Sequence, residues 1–112
     1  MFDVLHDINR TSGVTGSMIV GHDGIVIAAD LDTRYQEDAV GALAASITAN
    51  VNTSLHRLNE EEMSQITIEA DHGKLFMSKN DVGILVVTAE SEVNIGLVRL
   101  EMKHAMSRIK TV

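Results

Sequence analysis

The chain has 112 residues, a formal net charge of −7, 45% hydrophobic and 22% charged residues, and neither cysteine nor proline. That size and balance suit one globular domain with a single core, 1–112, rather than a disordered chain. The acidic surplus excludes nucleic acid as the expected partner, the lack of cysteine excludes disulfides and thiolate chemistry, and no apolar run is long enough for direct membrane insertion.

The opening stretch, MFDVLHDINR, carries acids and lacks a signal-peptide core, so cytoplasm is the expected compartment. Phe2, Leu5 and Ile8 recur every three residues and predict a short helix over 2–10, which TSGVTG (Thr11–Gly16) breaks. Ser17–Val20 and Ile25–Ala29 are β-type runs around GHDG, where Asp23-Gly24 suits a hairpin turn. The glycines at 13, 16, 21 and 24 match neither dinucleotide nor P-loop spacing.

A polar loop, Asp30–Asp38, leads to a long helix from about Gln36 to Leu58. Its heavy apolar residues are Val40, Leu43, Ile47, Val51, Leu55 and Leu58, whose steps of three and four predict one stripe buried on the sheet. From Val40 to Leu55 the residues between are small: Gly, Ala, Ser, Thr and Asn. After the acidic NEEEMS loop, SQITIEA (Ser64–Ala70) alternates, with Ile66, Ile68 and Ala70 on one face and Gln65, Thr67 and Glu69 on the other. DHG turns the chain into KLFMSK (Lys74–Lys79), and NDVG turns it again into ILVVTA (Ile84–Ala89). That last run is apolar at both parities, as in a strand covered on both faces. A final helix near Asn94–Ile109 has Asn94 as its N-cap and Leu97/Val98, Met102, Ala105/Met106 and Ile109 as its stripe. The sum is an α+β fold of order α-β-β-α-β-β-β-α. A five-stranded antiparallel sheet is expected, with the long central helix on one face and the terminal helices on the other.

No catalytic constellation emerges. The five histidines show neither HxH nor HxxxH spacing, and His22 and His72 read as solvated turn residues, so no metal and no cofactor are expected. No nucleophile sits in an elbow motif. Arg34, in a loop, is the least poor candidate among the arginines for a catalytic role, and it is not expected to be catalytic. The chain reads as a non-enzyme.

The segments GSMIVGHDGIVIAAD, ALAASITAN, SQITIEADHGKLFMSK and VGILVVTAESEVNIGLVRLEMKHAMSRI, in this order, resemble the Roadblock/dynein light chain family. The likeness is to its gliding-regulator type, bacterial or archaeal. The resemblance implies a dimer, of this chain with itself or with another roadblock chain, whose third strands pair into one continuous sheet with the central helices side by side. It also implies a small Ras-like GTPase as partner, scaffolded or regulated through contact. Two other functions remain open: a small-molecule sensor, whose cavity the Met18, Met77, Met102 and Met106 set would line, and a structural light-chain-like adaptor.

Two surfaces carry these expectations. On a helical wheel, Gly41, Ala45, Thr48 and Asn52 form a flank of small residues where a second helix would approach. By residues alone, Ser64–Ala70 is an interior or an edge strand. The implied dimer makes it an edge, pairing through Gln65, Ile66, Thr67, Ile68 and Glu69. The back of the helix, with Ala42, Ala49, Asn50, Thr53 and Arg57 and uncharged before Arg57, is the expected docking face for the partner. The acidic run Glu60–Glu62 reads as a solvated loop, with contact to a basic patch as the weaker reading.

Overall fold

A computed structural model describes residues 1–59 and 61–110. Its elements are α1 (Phe2–Asn9), β1 (Val14–Val20), β2 (Val26–Asp30), α2 (Glu37–Asn59), β3 (Gln65–Ala70), β4 (Gly73–Lys79), β5 (Ile84–Ala89) and α3 (Ile95–Arg108). The five strands form one sheet of order β2-β1-β5-β4-β3, antiparallel at every pairing. The expected fold class and element order hold.

β5 explains the layering. Leu85, Val87 and Ala89 point into a core shared with Leu5, Ile8, Phe76, Val98 and Met102 from one side. Ile84 and Val86 point the other way, to Met18, Val20, Met77 and Ala44. A strand apolar at both parities needs cover on both faces, and α1 with α3 supply one cover while α2 supplies the other. The methionines split between the layers, with Met18 and Met77 under α2 and Met102 under α3. They therefore line no common cavity, which removes the sequence argument for a sensor pocket.

The turns follow local chemistry. At the β1–β2 turn Gly24 holds φ +89°, a conformation that glycine adopts without strain. The Gly21 N–H donates to the Ile25 carbonyl at 2.8 Å, and the Ile25 N–H donates to Asp23 Oδ1 at 3.0 Å. Ala70 pairs with Gly73, so Asp71-His72 is a two-residue hairpin loop. The Asn94 side chain accepts from the Leu97 N–H at 3.0 Å and caps α3 as expected.

The terminal helices use only part of their apolar residues. Phe2 is 66% exposed, because α1 buries Val4, Leu5 and Ile8 and turns Phe2 outward. In α3, Val98 rather than Leu97 faces the core. β1 also begins earlier than its sequence suggests. Pairing with β5 at Val14↔Ala89 and Gly16↔Thr88 extends it through glycine, with an irregular step between.

Asn80 ties the far end of the sheet to α3. Its Nδ2 donates to the Ile109 carbonyl at 2.9 Å and the Met106 carbonyl at 3.3 Å, while its Oδ1 accepts from the Val82 N–H at 2.9 Å. Asn80→Ala strands these partly buried groups, so a loss of about 1–3 kcal/mol is expected in urea denaturation. An unchanged unfolding midpoint would show that water replaces the amide at no cost.

Candidate self-association and docking surface

β3 is an edge strand, last in the sheet order. Its outer backbone N–H and C=O groups have no strand partner among the described residues. It has one charged residue, Glu69, and no proline, so it lacks the usual devices that protect an edge. Glu69 stands opposite Lys74 of β4, with Nζ and Oε1 3.7 Å apart. Toward α3, Thr67 Oγ1 accepts from Arg99 Nε and Nη2 at 3.2 and 2.9 Å, and Gln65 Nε2 donates to the Arg99 carbonyl at 3.3 Å. Toward α2, Ile66 and Ile68 remain half-buried.

The cause is the placement of α2. Its principal contacts are with β2, β1 and β5, so it lies over that half of the sheet. The β4–β3 half is left thinly covered on this face. An apolar groove results, with Tyr35, Val40 and Leu43 on the helix side and Ile68, Ala70 and Leu75 on the sheet side. Leu43 is 53% exposed and Val40 and Ile47 are half-buried. Side chains of this size at a groove beside an open strand edge form one continuous apolar surface.

The expected stripe on α2 is therefore shifted. The helix buries Gly41, Ala44 and Thr48 against the sheet, not Leu43 or Leu58, which is 78% exposed. Gly41 and Thr48, expected to meet a partner helix, are thus buried within the protomer. A Cβ on Gly41 would stand 2.9 Å from the Gly24 carbonyl oxygen and 2.9 Å from Val20 Cγ1. A Cβ on Gly24 would stand 3.4 Å from Ala45 Cβ. Thr48 is 4% exposed, and its hydroxyl donates to the Ala44 and Ala45 carbonyls at 3.0 and 3.1 Å. Asn52 Oδ1 accepts from the Met63 N–H at 3.0 Å. Small residues do admit a close neighbour, as their size suggests. That neighbour is the protomer's own β1–β2 turn and its own sheet.

The residues missed by sequence reading are Leu43 with Val40, Leu75 and Tyr35. One signal was present. Leu43 and Leu55 lie about 120° apart at 100° per residue, so the heavy apolar arc is wider than one sheet contact needs.

The outer strip is as open as expected: Ala42, Ala49, Asn50, Thr53 and Arg57 are all exposed. The Thr53 hydroxyl donates to the Ala49 carbonyl at 3.0 Å, which leaves the strip low and uncharged as far as Arg57. Beyond it, Lys79 Nζ at 3.0 Å and His56 Nε2 at 2.8 Å both contact the Glu62 carboxylate, and the Lys79 hydrogen bond, then that of His56, holds it below the ordinary glutamate range. Glu62 is thus engaged inside the protomer, and Glu60 lies outside the described residues. The Asp7 carboxyl is likewise lowered, chiefly by the hydrogen bond from Arg108 at 2.6 Å.

Arg34 packs its guanidinium over Tyr35, 5.1 Å from the ring centre, with Asp32 at 3.7 Å. His22 Nε2 contacts the Asn80 carbonyl at 2.9 Å, and His72 stands on the groove rim. Among the described residues no three acidic or imidazole groups converge as metal ligands, and no helix is long and apolar enough to cross a membrane.

Comparison with known proteins places this geometry. A family model described as the Roadblock/LC7 domain matches residues 3–89. The uncharacterized protein MJ0714 of Methanocaldococcus jannaschii is 40% identical over 109 residues, spanning 97% of this chain and 92% of that protein. The solved Roadblock/LC7 domain from Streptomyces avermitilis superposes with a TM-score of 0.89 at 21% identity, covering 96% of this chain and 92% of that one. MglB of Myxococcus xanthus gives a TM-score of 0.87 at 20% identity, covering 94% and 87%. An MglB solved in a tetrameric arrangement gives 0.85 at 20% identity, covering 96% and 82%.

Proposed function

Because the chain belongs to the Roadblock/LC7 domain family, we propose that it works as a non-enzymatic homodimer that scaffolds or regulates a small Ras-like GTPase by contact. The observation that carries the self-association is the open β3 edge running into the apolar α2 groove. A second copy related by a two-fold axis beside β3 would extend the sheet and bring its own α2 over the thinly covered half. Both liabilities, an unpaired edge and exposed apolar side chains, would be removed by one contact. The tetrameric arrangement of the MglB relative shows that such domains self-associate in that protein.

The docking half of the proposal rests on the outer strip of α2. In the dimer, two strips with Ala42, Ala49, Asn50, Thr53 and Arg57 would lie side by side as a broad, nearly uncharged platform. Regulation of a GTPase from such a platform needs unequal affinity for its two nucleotide states. The experiment is calorimetry of the purified protein against small GTPases loaded with GTP or GDP, with light scattering of the protein alone. The proposal expects a dimer and tighter binding to one nucleotide state. A dimer that binds both states equally would indicate an adaptor without regulatory effect, and a monomer would remove the self-association reading. Ala49→Glu should leave the dimer intact and weaken GTPase binding.

A further inference from the structure

α3 presents an outer face that the core does not use. Val98, Met102 and Ala105 point inward, while Leu97 is 39% and Leu100 49% exposed. Arg99 and Lys103 flank Leu100, one helical turn apart, above a groove bordered by Met63, Gln65, Lys79 and Met106. Glu62 answers the charge of Lys79. Among the described residues, neither Arg99 nor Lys103 has a carboxylate within 4 Å.

That is unexpected in a chain where 16 acids face 9 bases. Like charges four residues apart on a helix repel. The pair is also held in shape. Arg99 spends its Nε and one Nη2 hydrogen on Thr67, which leaves the Nη1–Nη2 edge of the guanidinium free and oriented. A planar carboxylate fits that edge through two parallel hydrogen bonds.

We propose that this α3 groove docks an acidic polypeptide segment with an apolar side chain between its carboxylates. One carboxylate takes the open edge of Arg99, the second takes Lys103, and the apolar side chain lies on Leu100. The exposed leucines separate this site from one for free phosphate, which has nothing to place on them. The overall negative charge opposes an anionic bilayer. The surface lies on the opposite side of the sheet from α2; because Arg99 is held by Thr67 of the β3 edge, light scattering of each variant checks that self-association is unchanged.

The test is fluorescence anisotropy with a set of short labelled peptides of Asp and Leu, the spacing between acids varied, and matched Asn/Leu controls. Binding is expected for at least one Asp/Leu spacing and not for its Asn/Leu control. Arg99→Gln and Lys103→Gln should each weaken it by about tenfold, as for loss of a charged hydrogen bond, while Arg10→Gln, at the end of α1, should not. Circular dichroism checks that the variants fold. The proposal is overturned if no peptide of the set binds, if the Asn/Leu controls bind equally, or if the Arg99/Lys103 double variant binds like the wild type. Phosphatidylserine vesicles that bind while every peptide fails would also overturn it, in favour of a membrane surface.

Discussion

Leu43→Glu is expected to convert the protein from dimer to monomer while the protomer stays folded. In the protomer the Leu43 side chain is 53% exposed, so a carboxylate there keeps its water and costs little. In the proposed dimer the same position is covered by the second copy, next to Ile68 and Leu75 across the groove. A charge buried there without a partner costs several kcal/mol, because its hydration is lost and nothing replaces it. The dimer dissociation constant should therefore rise by at least about 100-fold, equivalent to about 2.7 kcal/mol. Sedimentation or light scattering across a dilution series reads this directly, with the circular dichroism spectrum as the control for folding. A variant that dimerises like the wild type would place the interface elsewhere.

Gly41→Leu should act on the protomer instead. The new side chain must enter a space where even a Cβ meets the Gly24 carbonyl oxygen and Val20 Cγ1, each at 2.9 Å. The carbonyl belongs to a tight turn and cannot swing away as a flexible side chain would. Leucine favours a helix over glycine by under about 1 kcal/mol, and overpacking outweighs that gain. A net loss of about 2–4 kcal/mol is expected, seen as a lower urea midpoint at fixed protomer concentration. The alternative outcome is informative. If Gly41→Leu leaves protomer stability unchanged and abolishes only the dimer, then Gly41 faces a second helix, as the small-residue pattern alone suggested.

These two substitutions lie two residues apart on one helix and separate its two roles. The tightly packed side of α2 carries Gly41, Ala44, Ala45 and Thr48, and the groove-side flank, which the proposed dimer would cover, carries Val40, Leu43 and Ile47. The outer strip, exposed to water, is a third surface. Partner docking there predicts effects for Ala49→Glu that Leu43→Glu produces only through loss of the dimer.

Much of the fold was legible along the chain, because its causes are local. The alternation of Gln65–Ala70, the two-parity apolar run of Ile84–Ala89, the Asp23-Gly24 turn and the Asn94 cap each express backbone geometry within a few residues. Residue type and spacing therefore determined the element order and the two-sided sheet. The position of α2 over the sheet was a different matter. Periodicity shows that a helix has an apolar arc, yet not which part of it the sheet covers. Here the arc is wide, and the displacement of α2 toward β2, β1 and β5 decided the division. Ala44 and Thr48 went into the core, and Leu43 was left at the groove. The same displacement brought the Gly24 turn against Gly41 and Ala45, so residues whose size invites a partner helix are filled by the chain's own hairpin. Likewise, Thr67 and Arg99 lie 32 residues apart, and only the packing of α3 beside β3 brings them together. Sequence determines what each element can bury; which face meets which neighbour is settled only when the layers stack.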